Sequence, residues 1–283
     1  MAKLIDGTVI AGRIRQQLIK ELSSFTPRPQ LCVLYCNSLA SLRFWSVQRS
    51  AAASLDIHVQ GKGVPTDVTQ GEIERIIQAW NGDSQVHGIF VHQPLPSGID
   101  AQRLSALIDP HKDVEGVHPA NCARRFFAKA RIGSCTALAV MELIESTGVS
   151  LAGKEAVVVG HSEIVGRPVS MLLLDKLATT TICHVGTDQA GRLEEHVRNA
   201  EVLVVAVGKP KFIPGEWIKP GSIVIDVGIN VVGGRVVGDV EYEGASQRAA
   251  YISPVPGGVG PVTVLMVMKN TVEAFKLQRN NST

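Results

Sequence analysis

Apolar residues recur at helical spacing through residues 8–24, at Val9, Ile10, Ile14, Leu18, Ile19 and Leu22, until Pro27 and Pro29 break the pattern. The apolar run at 31–35 has the length of a buried strand, and the Ala-, Ser- and Leu-rich stretch 40–55 returns to a helical reading. Residues 70–81 predict another helix, closed near Asn81-Gly82. Residues 86–91 (VHGIFV) predict a strand, and 100–108 a helix after Gly98. The second half repeats the alternation more clearly, with strands at 156–159, 179–184, 202–207 and 223–227 and helices at 166–174 and 193–199. Two longer helical patterns, 135–147 and 262–277, connect the halves, and the last returns the chain to the first domain. Strands that alternate with helices require parallel sheets with right-handed crossovers. The predicted fold class is therefore α/β, in two domains, the C-terminal one Rossmann-like with helices on both faces of an open sheet.

One turn in this frame carries chemistry. AVVVGHSEIVGRP at 156–168 runs from a predicted strand into a predicted helix. Gly160 suits the tight turn, Ser162 offers a hydroxyl to a phosphate, and Gly166 lets the helix approach the sheet. The free N–H groups and positive dipole end of the helix then favour a pyrophosphate. The motif departs from a strict GxGxxG, and taken alone a purely structural strand–helix turn also fits it. The next strand ends in Cys183-His184-Val185-Gly186-Thr187, with neither a carboxylate for a ribose nor a fixed cation for a 2′-phosphate. That leaves NAD and NADP both open. A 2′-phosphate, with roughly two negative charges, tips the choice toward NAD unless Arg167 or His161 compensates it.

Composition changes this picture little. The 283 residues are 45% hydrophobic and 19% charged, a normal globular balance, and the net charge of +2 gives no electrostatic case for nucleic acid or a membrane surface. No apolar run is long enough to span a bilayer, and residues 1–15 lack a secretory-signal pattern. Five scattered cysteines fit reduced thiols. Cys32 and Cys36 lie in one apolar run with no matching ligand pair, so no metal site is expected.

GHSEIVGRP at 160–168, AVGKP at 206–210, DVGIN at 226–230 and PVPGGVGPVT at 254–263 together resemble the bifunctional methylenetetrahydrofolate dehydrogenase/methenyltetrahydrofolate cyclohydrolase family. The N-terminal half is similar in the same order: IDG at 5–7, the ASxxF stretch at 40–44, PLP at 94–96 and KDVEGVHPAN at 112–121. The resemblance implies a folate-site domain made of residues 1–137 with 262–283, a dinucleotide-binding Rossmann domain at 138–261, and a cleft between them. It implies cofactor contacts from Gly160, Ser162, Ile164, Val165, Gly166 and Arg167 at the phosphates, with Val207, Gly208 and Ile229 near the nicotinamide and ribose. Pro256, Gly257, Gly258 and Thr263 would line the cleft. NADP or NAD as cofactor, a tetrahydrofolate derivative as substrate, a homodimer and a cytoplasmic location follow from the same resemblance.

The departures fall on the chemistry. The family's Tyr and Lys, four residues apart on one helical face, are Phe44 and Gln48; its Gln before PLP is His92; its folate-anchoring Asp is Glu115; and its PCTP is Ser134-Cys135-Thr136-Ala137. Gln48 can donate and accept hydrogen bonds but cannot act as a general acid or base. Phe44 keeps a ring and loses the hydroxyl. His92 brings a titratable group. Glu115 displaces its carboxylate by one methylene. The catalytic and substrate-binding set is thus expected at Phe44, Gln48, His92 and Glu115, serving a dehydrogenase with weak or lost cyclohydrolase activity. A repurposed one-carbon enzyme of specialised metabolism and a non-catalytic binding protein are the alternatives.

Overall fold

The computed structural model describes residues 1–127 and 130–280, with the side chains of Ala40 and Asn280 left aside. The end of the expected folate-site domain, residues 281–283, and residues 128–129 within it lie outside the described residues. In chain order the strands are β1 Lys3–Leu4, β2 Gln30–Cys36, β3 His58–Val64, β4 Gly88–Val91, β5 Glu155–Val159, β6 Thr179–Cys183, β7 Val202–Val205, β8 Ile223–Asp226, β9 Asn230–Val232, β10 Arg235–Val237 and β11 Tyr251–Ile252. The helices are α1 Gly7–Leu22, α2 Leu39–Ser54, α3 Gln70–Gly82, α4 Ala101–Leu107, α5 Pro119–Phe126, α6 Cys135–Glu145, α7 Gly166–Asp175, α8 Val185–Gln189, α9 Leu193–Asn199, α10 Tyr242–Arg248 and α11 Val259–Asn280. No described helix is long and apolar enough to cross a membrane.

The chain forms two compact units, one of residues 1–13 with 136–263 and one of 14–135 with 264–283. The first is built on a six-stranded sheet in the order β1-β11-β8-β7-β5-β6, parallel throughout. Its strands are the Val-rich runs that read as doubly covered, and β7 and β8 are buried along their whole length. Val157, Val159, Leu203 and Val224 pack with Leu193 and Val197 of α9 into one core. The sequence reading assigned residues 1–13 to the other domain. The pairing of Lys3 and Leu4 with Tyr251 and Ile252 ties them to this sheet instead.

The second unit holds the parallel three-stranded sheet β3-β2-β4. Cys32 and Leu34 of β2 pack against Ile73, Ile77 and Trp80 of α3 and Leu104 of α4. Ile73, Ile77 and Trp80 are spaced as one helical stripe, which is why residues 70–81 read as a helix. Helix α3 ends against Lys112, whose buried ammonium donates to the carbonyls of Trp80, Asn81 and Asp83 at 3.0, 2.8 and 2.7 Å.

Candidate active site

In the first unit, β5 delivers the chain into the glycine-rich turn. Gly160 has φ +118°, and a Cβ there would collide with the Ala206 carbonyl. A Cβ on Gly166 would collide with the Gly160 carbonyl, so both glycines are required by close backbone approach. Ser162 accepts from the Val165 N–H through its hydroxyl at 3.1 Å and from the Arg167 N–H through its carbonyl at 3.1 Å, which leaves the hydroxyl proton able to point outward. Ile164 and Val165 are partly exposed beside them, and Arg167 pairs with Glu163 at 3.5 Å. Beyond β6, the His184 imidazole accepts from Gly186 N–H at 3.1 Å and meets His161 edge to face at 5.4 Å. The residues fit a dinucleotide phosphate: a cradle that admits only glycine, opening a helix N-terminus.

Two buried carboxylates, which the sequence reading missed, shape the neighbouring loops. Asp239 accepts from the N–H groups of Val207 and Gly208 on one oxygen, at 2.7 and 2.8 Å, and from the Asn230 amide on the other at 2.8 Å. Asp226 accepts from Gly228, Asp239 and Val240 N–H at 2.9, 3.0 and 2.8 Å; burial nonetheless pushes its pKa up to about 6. The signal for the pair was the DVG of 226–228 and the GDV of 238–240, each glycine lying where a Cβ would strike the opposite carboxylate. Ile229 stays exposed on this loop. Pro256, after a cis peptide, leads to Gly257 at φ +104° and Gly258, and α11 begins at once. There Thr263 donates to the Val259 carbonyl at 3.1 Å.

In the second unit, three of the four predicted catalytic residues meet. Gln48 is fully buried on α2 and His92 is buried just after β4. The His92 Nε2 lies 2.6 Å from the Gln48 Oε1, and its Nδ1 lies 3.3 Å from the hydroxyl of Ser41. Phe44, one helical turn before Gln48, stands 4.9 Å from the His92 ring, which also contacts Phe90 and Tyr35 at 5.6 and 6.1 Å. Desolvation by this surround lowers the His92 pKa to about 4, so the ring is neutral at physiological pH. The Gln48 Nε2 is enclosed with no hydrogen-bond partner.

Glu115 sits in a separate turn of the same unit. The Asp113 carboxylate wraps that turn, accepting from Gly116 N–H, His118 N–H and the Asn121 amide at 2.9, 2.9 and 2.8 Å, and Asn270 of α11 donates to the Val114 carbonyl at 2.8 Å. Lys112, Asp113 and Asn121 of KDVEGVHPAN thus hold backbone. Part of its surface stays open, yet its dense surroundings, with the Asp113 charge nearby, push its pKa up to about 8. No hydrogen bond, ion pair or ring contact among the described residues joins Glu115 to Phe44, Gln48 or His92.

Comparison with known proteins fits both halves. The tetrahydrofolate dehydrogenase/cyclohydrolase catalytic-domain model matches residues 5–115, and the NAD(P)-binding-domain model of the same family matches residues 134–279. The chain belongs to the tetrahydrofolate dehydrogenase/cyclohydrolase family. It is similar to the bifunctional protein FolD of Halothermothrix orenii, 44% identical over 282 residues that cover 98% of this chain and 99% of that one. The bifunctional protein FolD 2 of Geobacter sulfurreducens is 45% identical, with 98% of each chain covered. Among solved structures, the N5,N10-methylenetetrahydrofolate dehydrogenase-cyclohydrolase of Trypanosoma brucei, complexed with NADP and an inhibitor, has a TM-score of 0.94 at 38% identity and covers 100% of this chain and 99% of its own. Like other members of the tetrahydrofolate dehydrogenase/cyclohydrolase family, the chain is an enzyme with an N-terminal catalytic domain and a C-terminal NAD(P)-binding parallel-sheet domain.

Proposed function

We propose that this protein is a 5,10-methylenetetrahydrofolate dehydrogenase, using NAD or NADP, whose cyclohydrolase step is weak or lost. The observation that carries the reading is the 2.6 Å bond between Gln48 and His92. Gln48 takes the place of the family's lysine, and its partner imidazole is neutral, so neither group of the pair supplies charge or an accessible proton near pH 7. The turn at Gly160, Ser162 and Gly166 would hold the dinucleotide, which would supply a hydride acceptor for the folate methylene carbon. The protein's part in that step is to position two flat partners, and the glycine cradle with the Asp239-braced loop at Val207 and Gly208 suits it. Hydrolysis of the methenyl product needs an activated water, and general acid–base help of that kind contributes about a hundred- to ten-thousand-fold.

In this reading Phe44, Gln48, His92 and Glu115 form the substrate side, in the unit of residues 14–135 with 264–283. Gly160, Ser162, Ile164, Val165, Gly166, Arg167, Val207, Gly208 and Ile229 form the cofactor side in 138–261, and Pro256, Gly257, Gly258 and Thr263 complete the substrate surface. The protein acts as a cytoplasmic homodimer. A second reading, different chemistry on a folate-borne one-carbon unit, draws support from Glu115, which the shift to about 8 keeps protonated at neutral pH and so makes a donor.

The test is to assay methylenetetrahydrofolate oxidation and methenyltetrahydrofolate hydrolysis side by side. Dehydrogenase turnover with slow hydrolysis is expected. Because a lysine at position 48 would meet the imidazole that now touches Gln48, restoration pairs Gln48→Lys with His92→Gln and Phe44→Tyr. The triple variant should gain hydrolysis by at least tenfold. A starting hydrolysis rate equal to that of a bifunctional relative overturns the proposal, and failure of the triple variant to gain favours the second reading.

A further inference from the structure

The Gln48 amide poses a problem that the dehydrogenase reading leaves open. Its carbonyl oxygen is used by His92, while its Nε2 is buried and bonded to nothing. A buried donor without an acceptor is costly, and native proteins carry few of them. The arrangement around it is also one-directional. If the Gln48 Oε1 accepts, the His92 Nε2 must carry the proton. The Nδ1 is then a bare acceptor, and its partner among the described residues is the Ser41 hydroxyl, which must donate. Ser41 is itself buried in the first turn of α2, its N–H held by the Ser38 cap, so the far end of the chain is held by the helix start. Three aromatic rings, Tyr35, Phe44 and Phe90, pack on the imidazole and oppose its rotation.

We propose that Ser41 and His92 are positioning residues that lock the Gln48 amide with its buried N–H₂ edge unpaired, as a neutral donor for an uncharged carbonyl oxygen of the bound ligand. The inference rests on the folate reading for the identity of that ligand. Two sources supply such an oxygen: the ring carbonyl common to all tetrahydrofolates, and the formyl group of an N-formyl folate. A locked neutral donor recognises either one. It replaces a group that could exchange protons with one that can only orient, so Gln48 holds an oxygen in place where a lysine would help a water attack.

The first readout needs no ligand. Nitrogen NMR of isotopically labelled histidines in the intact protein reports which ring nitrogen carries the proton. His92 is expected as the neutral Nε2–H form, and Ser41→Ala should mix in the other tautomer. A wild-type Nδ1–H form overturns the proposal, because Gln48 would then present its carbonyl. The second readout is calorimetric binding of 10-formyltetrahydrofolate and of unsubstituted tetrahydrofolate to the wild type, Gln48→Leu and Ser41→Ala.

Loss of one neutral hydrogen bond should weaken binding about threefold to tenfold in Gln48→Leu and by a smaller factor in Ser41→Ala. Loss for the formyl compound alone assigns the formyl oxygen, and equal loss for both assigns the ring carbonyl. Wild-type affinity of Gln48→Leu for both compounds, in a variant that still binds dinucleotide, overturns the proposal and leaves a trapped water as the partner of Nε2. Neither readout uses turnover. A protein without dehydrogenase activity would therefore sink the functional reading while the tautomer and the binding differences still decide this one.

Discussion

Glu115 and His92 titrate in opposite directions, and together they shape the pH dependence of stability. The Glu115 carboxyl is raised from 4.5 to about 8, so between those values the folded state holds a proton that the unfolded chain has released. Stability contributed by this group therefore falls as pH rises through that window and is constant above it. His92 is lowered from 6.5 to about 4, so stability is lost as pH falls through that range. Asp226, raised to about 6, has largely completed its change by pH 7, and the raised thiols of Cys32 and Cys183, at about 11, act mainly above 9. The interval from pH 6.5 to 8.5 belongs mainly to Glu115. Denaturant unfolding should show lower stability at pH 8.5 than at 6.5, and Glu115→Gln should flatten that difference. An unchanged slope in the variant would remove Glu115 as its source. The spacing of Phe44 and Gln48 already placed them on one helical face. Their partners His92 and Ser41 were not legible as a chain, because separations of 44 and 51 positions are closed only when the fold sets α2 beside the end of β4.

Among the elements, those whose burial is written in composition were legible and those decided by pairing were not. The runs of β2, β5, β7 and β8 announce themselves by unbroken apolar residues, and β4 by its flanking Gly and Pro. Strand β3, HVQGKGV, buries only Val64 and carries no apolar pattern of its own; its seven pairs with β2 make it a strand. The two-residue strands β1 and β11 exist only through each other and β8. The hairpin β9–β10 turns at Gly233-Gly234, a signal that local sequence does carry. At this scale, Gly166→Val should weaken dinucleotide binding at least tenfold by calorimetry, since the new side chain strikes the Gly160 carbonyl and must push α7 off its cradle. Asp239→Ala removes the acceptor of Val207, Gly208 and Asn230 at once. Hydrogen bonds to a charged group contribute about 1.5–3 kcal/mol each, so a loss of at least about 3 kcal/mol in denaturant unfolding is expected, and a loss below 1 kcal/mol would mean that the loops hold without it.

For the molecule as a whole, a net charge of +2 provides no field that gathers anionic ligands, so discrimination between NAD and NADP must come from groups at the cofactor site. Those groups are few. The end of β6 presents Cys183, His184 and Val185, and the guanidinium in the first turn of α7, Arg167, is paired with Glu163, an exposed couple of the kind that contributes little and is readily exchanged. A 2′-phosphate with about two negative charges gains only what Arg167 yields by leaving Glu163, while its desolvation is paid in full. NAD should therefore bind more tightly than NADP in side-by-side titrations. Raising the ionic strength from about 0.01 M to 0.15 M shortens the screening length from about 30 Å to about 8 Å and should weaken NADP more than NAD, since only the 2′-phosphate depends on a solvent-exposed cation. Arg167→Ala should reduce NADP affinity further and, if the pyrophosphate is held by the backbone cradle at Gly160 and Gly166, change NAD affinity by less than about twofold. Preference for NADP that survives Arg167→Ala would show that another cation reaches the 2′-phosphate, and the assignment from the end of β6 would fail.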